Sequence, residues 1–446
     1  MKTLLPRSPA PSLPCLLRET PRTRRAELLT AAALFALAMA VAAVFWAVLP
    51  AAYRENQSVD YRRGYEPAAR SIVAGEGIPI DGVLEPRYPP AFPVMLAGLF
   101  HLSTATGVAE DALLVVFRLF CVGLSAVLVY ALARLVWPPG AALLPALAWL
   151  TYPFWLWVAK QPNSEVPFVP ALLAAMWLLW RPLLRGASGR RAWALTLAAG
   201  LLAGLAMLIR PTAIGLPFVM AFIILLFAPR GAGWPARLGW AALVLAGAAL
   251  AVLPWEATLY ARTGRFIPLS IGGNVTIQDG LMFVASEDEY RRPMDVPDDV
   301  VAISRAFYDR RLEMQIGGMR GVALLALDLG RDDPAALLKL LALKVVRVWY
   351  ANDSRVFETP SLLLQVIYLG AVLWGSIASW RHGGFGRPNG RMNSGHWLLA
   401  LYFWGMAFLA VPLLRYLVPV MPLLFLALPG ILGAGHDDRP PLATDN

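Results

Sequence analysis

A general base must be a proton acceptor held beside its substrate and partly shielded from water. Asp60 is the first candidate in this chain. It lies about ten residues beyond the first apolar run of membrane-spanning length, in the polar segment 53–93, YRENQSVDYRRGYEPAARSIVAGEGIPIDGVLEPRYPPAFP. Glu55, Glu66, Glu76, Asp81 and Glu85 compete with it in the same segment. On spacing alone Asp60 is either a base or a solvated loop carboxylate. Glu165, in QPNSEVPF, is the second candidate. It heads an apolar run, where a charge is tolerated only if wet or paired, since a charged side chain at a helix centre costs about 2.5–3.5 kcal/mol. Its alternative is a helix N-terminal box with Asn163 or Ser164, favoured by the helix dipole. Arg87, Arg210 and Arg415 form a third set. Each either snorkels to lipid headgroups or binds a phosphate through charge-assisted, often bidentate bonds.

The elements that must position these residues are apolar helices. The chain of 446 residues is 58% hydrophobic and 15% charged, which excludes an ordinary soluble domain. Runs of spanning length at 28–49, 112–136, 141–159, 166–180, 192–209, 212–228, 238–254, 361–380, 397–413 and 416–434 predict an all-α polytopic membrane protein with about ten transmembrane helices. The run 91–103 is too short to span, so it reads as a juxtamembrane or re-entrant helix in the first outer loop. With that run not crossing, the Arg tracts 181–191, 230–237 and 381–391 all fall in the cytoplasm, as the positive-inside rule requires. The same parity puts 53–93, 160–165 and 255–355 outside. It also places Arg87, Arg210 and Arg415 on the outer face, against the usual bias. The net charge of +10 is therefore a topology signal, and no nucleic-acid partner is expected.

The predicted organisation is a cytoplasmic tail at 1–26 and a transmembrane catalytic module at 27–254 that includes the outer loop 50–110. An outer region with interfacial helices follows at 255–356, then C-terminal transmembrane helices at 357–435 and a tail at 436–446. Within the outer region, Lys339, Lys344 and Arg347 share one side of a helical wheel, which suits a helix lying in the membrane interface. Cys15 and Cys121 do not make a disulfide framework. There is no phosphate-binding glycine loop, no Cys/His metal spacing and no nucleophile elbow. His101, His382, His396 and His436 are scattered. The sequence calls for no particular cofactor, and a divalent cation stays open.

Several stretches together resemble one family. D60-x-x-R-x-x-Y65, a glycine turn at Gly75 and Gly77, and R87-Y-P-P-A-F-P93 look like the first outer loop of polyprenyl-phosphate-sugar-dependent GT-C glycosyltransferases. That superfamily includes protein O-mannosyltransferases and the bacterial transferase that adds aminoarabinose to lipid A. GLLAGLAMLIRPTA (200–213), LPWEATLYARTGRFIPLSIGGN (253–274) and RYLVPVMPLLFLAL (415–428) are similar to its bacterial branch. The resemblance implies an inverting transfer at the outer, periplasmic face of a bacterial inner membrane. The donor would be a polyprenyl-phosphate-linked sugar and the acceptor a lipid, glycan or protein, with membrane lipids around the site. It makes Asp60 the catalytic base and Glu165 the second catalytic acidic residue. Arg63, Tyr65, Arg87, Tyr88, Arg210, Arg415 and Tyr416 would bind substrate. Where many members carry two adjacent acidic residues, this chain has Asp60 followed by Tyr61. The large soluble domain of some relatives has no counterpart, so acceptor recognition is expected to rest on 255–355 and the membrane cleft. The rival reading is a polytopic transporter or lipid flippase. Such proteins usually show internal symmetry and interrupted spans at the midplane, and neither is evident.

Overall fold

Inside a bilayer the backbone has no water to bond, so apolar segments must close their hydrogen bonds internally as helices. The computed structural model describes residues 24–54, 58–79, 87–185, 189–229, 231–284, 296–352, 357–384 and 386–433. Among these there is no strand. Glu55, Asp81, Glu85, Cys15 and most of both tails lie outside the described residues. Helices long and apolar enough to cross a membrane are Arg24–Val48, Glu110–Ala133, Glu165–Arg185, Gly189–Ile209, Trp234–Thr263, Glu358–Arg381 and Leu414–Leu432. Pro139–Leu150 and Pro153–Ala159 together make an eighth, bent by 54°. The chain is an all-α integral membrane protein.

Some expected runs form helices shorter, more polar or more bent than the rest, for local reasons. The run 212–228 yields a helix of 12 residues, Leu216–Phe227, because Pro211 and Pro217 delay its start. The run 397–413 belongs to Pro388–Leu409, whose first turns, PNGRMNSGH, are polar. The bend near Tyr152 sits at Pro153, which has no N–H to continue the preceding helix. The short run 91–103 forms Ala91–Thr106, stopped by Gly107 at φ 71°.

Glu165–Arg185 lies at the centre. Its Val166, Phe168, Leu172, Ala175, Met176 and Trp180 are fully buried. The helix that precedes Arg210 is fixed by small residues. Gly200 and Gly204 of Gly189–Ile209 pack on Val244 and Ala248 of Trp234–Thr263, and Gly247 returns the contact to the Leu197 carbonyl. Lipid tails give helices no hydrophobic drive to associate, so close backbone approach through small residues supplies the contact.

Residues 277–284 and 296–343 build a second apolar cluster around Phe283, Val300, Phe307, Met314, Leu325 and Leu340. Its last helix, Pro334–Arg347, is capped by Asp333, whose carboxylate accepts from the Ala336 N–H. The cations read as one interfacial stripe divide here. Lys339 is on the surface, 2.6 Å from Asp299. Lys344 and Arg347 are each only 2% exposed. A wheel angle reports which side of a helix a residue occupies, not what covers that side.

Gly200→Ala places a Cβ 2.3 Å from the Val244 carbonyl oxygen. It is expected to destabilise the protein by about 1–3 kcal/mol, the usual range for overpacking. Gly370→Ala, with open space around the new Cβ, should leave thermal unfolding in lipid nanodiscs unchanged or slightly raised. Equal effects from the two substitutions would contradict the seam.

Candidate active site

Asp60 stands at the head of a π-helical turn, Tyr61–Tyr65, that runs into the helix Glu66–Val73. Tyr61 and Tyr65 anchor the turn, 3% and 5% exposed. Gly64 leaves room for the Tyr88 ring, since a Cβ there would lie 2.0 Å from a ring carbon. Tyr88 therefore reaches across and donates its O–H to Asp60 Oδ1 at 2.9 Å. Pro89 and Pro90 hold the backbone just past it, at the start of Ala91–Thr106. Burial, and then the Asp60 charge, push the Tyr88 phenol well above its ordinary range, so it stays a neutral donor.

The second oxygen of Asp60 faces Arg415. Arg415 lies in the turn Leu414–Tyr416, tied down where the Leu414 N–H donates to the Ala351 carbonyl at 2.8 Å. Its Nη2 donates to Asp60 Oδ2 at 3.4 Å, and the pair is 25% and 33% exposed. The Tyr416 ring lies between two cations, 5.3 Å from the Arg415 guanidinium and 5.1 Å from that of Arg210.

Arg210 leaves the end of Gly189–Ile209 and meets Glu165 at 2.7 Å, the two side chains being 7% and 4% exposed. Its Nη1 also donates to Ser164 Oγ at 3.2 Å. Ser164 Oγ accepts from Tyr65 O–H at 3.1 Å as well, and the Tyr65 ring packs on Tyr88 at 4.2 Å. Asp60, Tyr88, Tyr65, Ser164, Arg210, Tyr416 and Arg415 thus form a closed circuit of contacts, with Glu165 beneath it.

The structure brings together Asp60, Tyr65, Tyr88, Glu165, Arg210, Arg415 and Tyr416. Arg63 is exposed and makes no hydrogen bond or ion pair with the circuit. Arg87 is also exposed, its guanidinium 5.7 Å from the Tyr88 ring centre. The competing carboxylates that are described are engaged elsewhere. Glu66 pairs with Arg70 at 3.2 Å, and Glu76 accepts from Ser71 at 3.1 Å. Glu165 is bonded to Arg210 and presents almost no open surface. Among the described residues no group of three or more His, Cys, Asp or Glu is placed to hold a metal.

Sequence reasoning overlooked Asp279 and gave Ser164 only a capping role. Asp279 sits in the helix Gly272–Leu281, and a Cβ on Gly272 would lie 2.3 Å from the Arg87 carbonyl oxygen. A strained turn brings that helix in. Leu269, at φ 60°, is clasped by its N–H to Glu256 Oε1 at 2.7 Å and its carbonyl to Trp255 Nε1 at 2.8 Å. Surrounding protein pushes the Asp279 carboxyl up; Arg87 opposes that shift and Asp60 adds to it. The available signal was the pair Gly272–Gly273, which marks a close backbone approach.

The sequence family described as dolichyl-phosphate-mannose-protein mannosyltransferase matches residues 87–256. No curated protein matches the chain. The chain is similar to the crystal structure of the Archaeoglobus fulgidus oligosaccharyltransferase tethered with an acceptor peptide, with a TM-score of 0.53 and 14% identity over 90% of this chain and 49% of that one. The archaeal oligosaccharyltransferase AglB from the same organism, in complex with an inhibitory peptide and a dolichol-phosphate, has a TM-score of 0.49 and 14% identity over 90% of this chain and 50% of that one. The chain thus spans about half the length of these solved proteins. The matched family is of the kind that the sequence resembles, and the likeness to the oligosaccharyltransferase at a TM-score of 0.53 is one of fold.

Glu165→Gln leaves Arg210 as a buried charge without its counter-ion. It should lower stability by about 3–5 kcal/mol, the usual cost of breaking a buried pair. Arg87→Ala, at the surface, should stay within about 0.5 kcal/mol. Chemical denaturation in mixed micelles measures both, and a Glu165→Gln protein as stable as the parent would show that the pair carries no structural load.

Proposed function

We propose that the chain is a GT-C glycosyltransferase that moves a sugar from a polyprenyl-phosphate carrier to an acceptor at the outer face of the membrane, with inversion. The observation that carries this reading is Asp60. It is a partly exposed carboxylate oriented by the Tyr88 hydroxyl and Arg415, with the exposed Arg87 guanidinium beside Tyr88. The matched family, whose description names a lipid-phosphate sugar donor and a protein acceptor, supports it. That description makes a protein the first acceptor to test, ahead of a lipid or a glycan.

In this mechanism the acceptor hydroxyl or amine attacks the anomeric carbon and gives its proton to Asp60. The bond from that carbon to the phosphate oxygen breaks, and polyprenyl phosphate leaves with the electron pair. A phosphate needs no general acid to depart, only fixed cations to hold its growing charge. Arg87 and Arg415 are those cations. Arg415 also bonds the base, so proton transfer and departure share one guanidinium. Glu165 positions rather than reacts: it holds Arg210, which fixes Tyr416 and Ser164, and through Ser164 the tyrosines beside Asp60. Residues 27–254 form the catalytic module and 255–356 cover it from the outer side.

Asp60→Asn keeps the shape but not the basicity. It should lower transfer from polyprenyl-phosphate sugar by about 10²–10⁴-fold with carrier binding little changed, as read by product mass spectrometry and by carrier titration in nanodiscs. Transfer by the variant at the parental rate would sink the assignment.

Orientation has its own test. In a background lacking Cys15 and Cys121, Thr106→Cys and Asp332→Cys should react with an impermeant thiol reagent in intact cells. Gly231→Cys, in the Arg-flanked tract, should react only after permeabilisation. The opposite pattern would put the site in the cytoplasm.

A further inference from the structure

Next to the Asp60 circuit lies a cavity of 320 Å³. Asp279, Phe283, Tyr308, Arg347, Asn352 and Pro412 are among its walls. Leu413, another wall residue, lies two positions before Arg415, which bonds Asp60. Asp279 feels the charges of both Asp60 and Arg87. One wall residue thus lies two positions from the arginine that bonds Asp60, and another sits on the helix whose Gly272 abuts Arg87.

Its walls select a ligand class. Arg347 is 2% exposed, and its charge is answered within the protein by Glu358. Its Nε, however, is buried with no hydrogen-bond partner. A buried donor left unmade is costly, and on a cavity wall it calls for an oxygen. Asp279 supplies the complementary group, a carboxylate exposed to the cleft. An orphan donor and a free acceptor on one wall suit a molecule whose groups both give and take hydrogen bonds, namely hydroxyls. Phe283, Pro412, Met282 and Leu413 give the remaining wall an apolar face, which suits the C–H side of a sugar ring. A phosphate fits poorly, because Arg347 is already neutralised and Asp279 would repel it. The volume lies at the lower end of ligand pockets, which run about 300–1,000 Å³, so one ring fits and an oligosaccharide does not.

We infer that this cavity is the subsite for the donor's sugar ring, with Asp279 and Arg347 reading its hydroxyls while the carrier phosphate lies outside it at Arg87 and Arg415. The inference rests on the function proposed above. It makes Asp279 a specificity-determining residue and places the bond to be broken at the mouth of the cavity, over Asp60.

The test is carrier binding by the full chain in nanodiscs, with polyprenyl phosphate and with its mannosyl, glucosyl and arabinosyl esters. Asp279→Ala should weaken the best-bound ester about tenfold, the worth of one to two hydrogen bonds. Bare polyprenyl phosphate should bind as before. Val411→Trp, which fills the cavity from its rim, should do the same by a different route, so a folding defect in one variant does not decide the matter. Equal weakening of bare and sugar-bearing carriers, or no change in either, overturns the subsite. Should the parent protein bind bare polyprenyl phosphate but both variants keep their ester affinity, only the subsite falls. If the parent binds neither kind of carrier, the polyprenyl-phosphate reading falls and takes the subsite with it.

Discussion

Two charges closed off from water set the terms for the rest of this molecule. Desolvating a carboxylate and a guanidinium costs several kcal/mol per ion, and their attraction offsets that only when the remaining donors and acceptors are also bonded. Glu165 and Arg210 meet that condition by recruiting neighbours. Ser164 and Thr212 take N–H groups of Arg210, and Tyr416 covers its face. Each recruited group comes from a different part of the chain, so the pair fixes the relative placement of the central helix, the end of the glycine-seamed helix and the C-terminal turn. Ser164 then bonds Tyr65, and the order extends to Tyr88 and Asp60.

This arrangement separates a closed ion pair from an open one. The buried pair has almost no exposed surface, while Asp60 and Arg415 keep a quarter to a third of theirs. Preorganised polar groups act most strongly when they need not move during the reaction. Glycine contributes at both ends: Gly200 and Gly204 let helices touch backbone to backbone, and Gly64 lets the Tyr88 ring lie flat over the turn that carries Asp60.

Much of this was legible in the sequence. Apolar runs reported the all-helical membrane fold because spanning length is a property of single segments. Asp60 stood out by its place after the first span, and the order of several weak motifs pointed to GT-C proteins. What stayed hidden depends on contacts between distant residues. The reach of Arg415 to Asp60 spans 355 positions, and no periodicity encodes it. Asp279 looked like one acidic residue among many until the Gly272 approach to Arg87 placed it. The bent and shortened helices were not legible, because hydropathy averages over the prolines and polar first turns that limit a helix.

Lys344 gives the helix Pro334–Arg347 a dependence on protons. Its ammonium is buried among Gly280, the Leu409 carbonyl and the Phe408 ring, with no carboxylate beside it among the described residues. Burial lowers its pKa to about 7, against about 10.4 for an unfolded lysine. Between those values the unfolded chain holds a proton that the folded one has released, so stability rises with pH across that window. Below about 7 both forms are charged, and the folded state must keep an uncompensated cation in an apolar site. Lowering the pH from about 10 toward 7 thus weakens the hold of Pro334–Arg347 on residues 408–410, the stretch that leads into Arg415. The packing of that helix against 408–410 therefore depends on proton concentration through the Lys344 side chain.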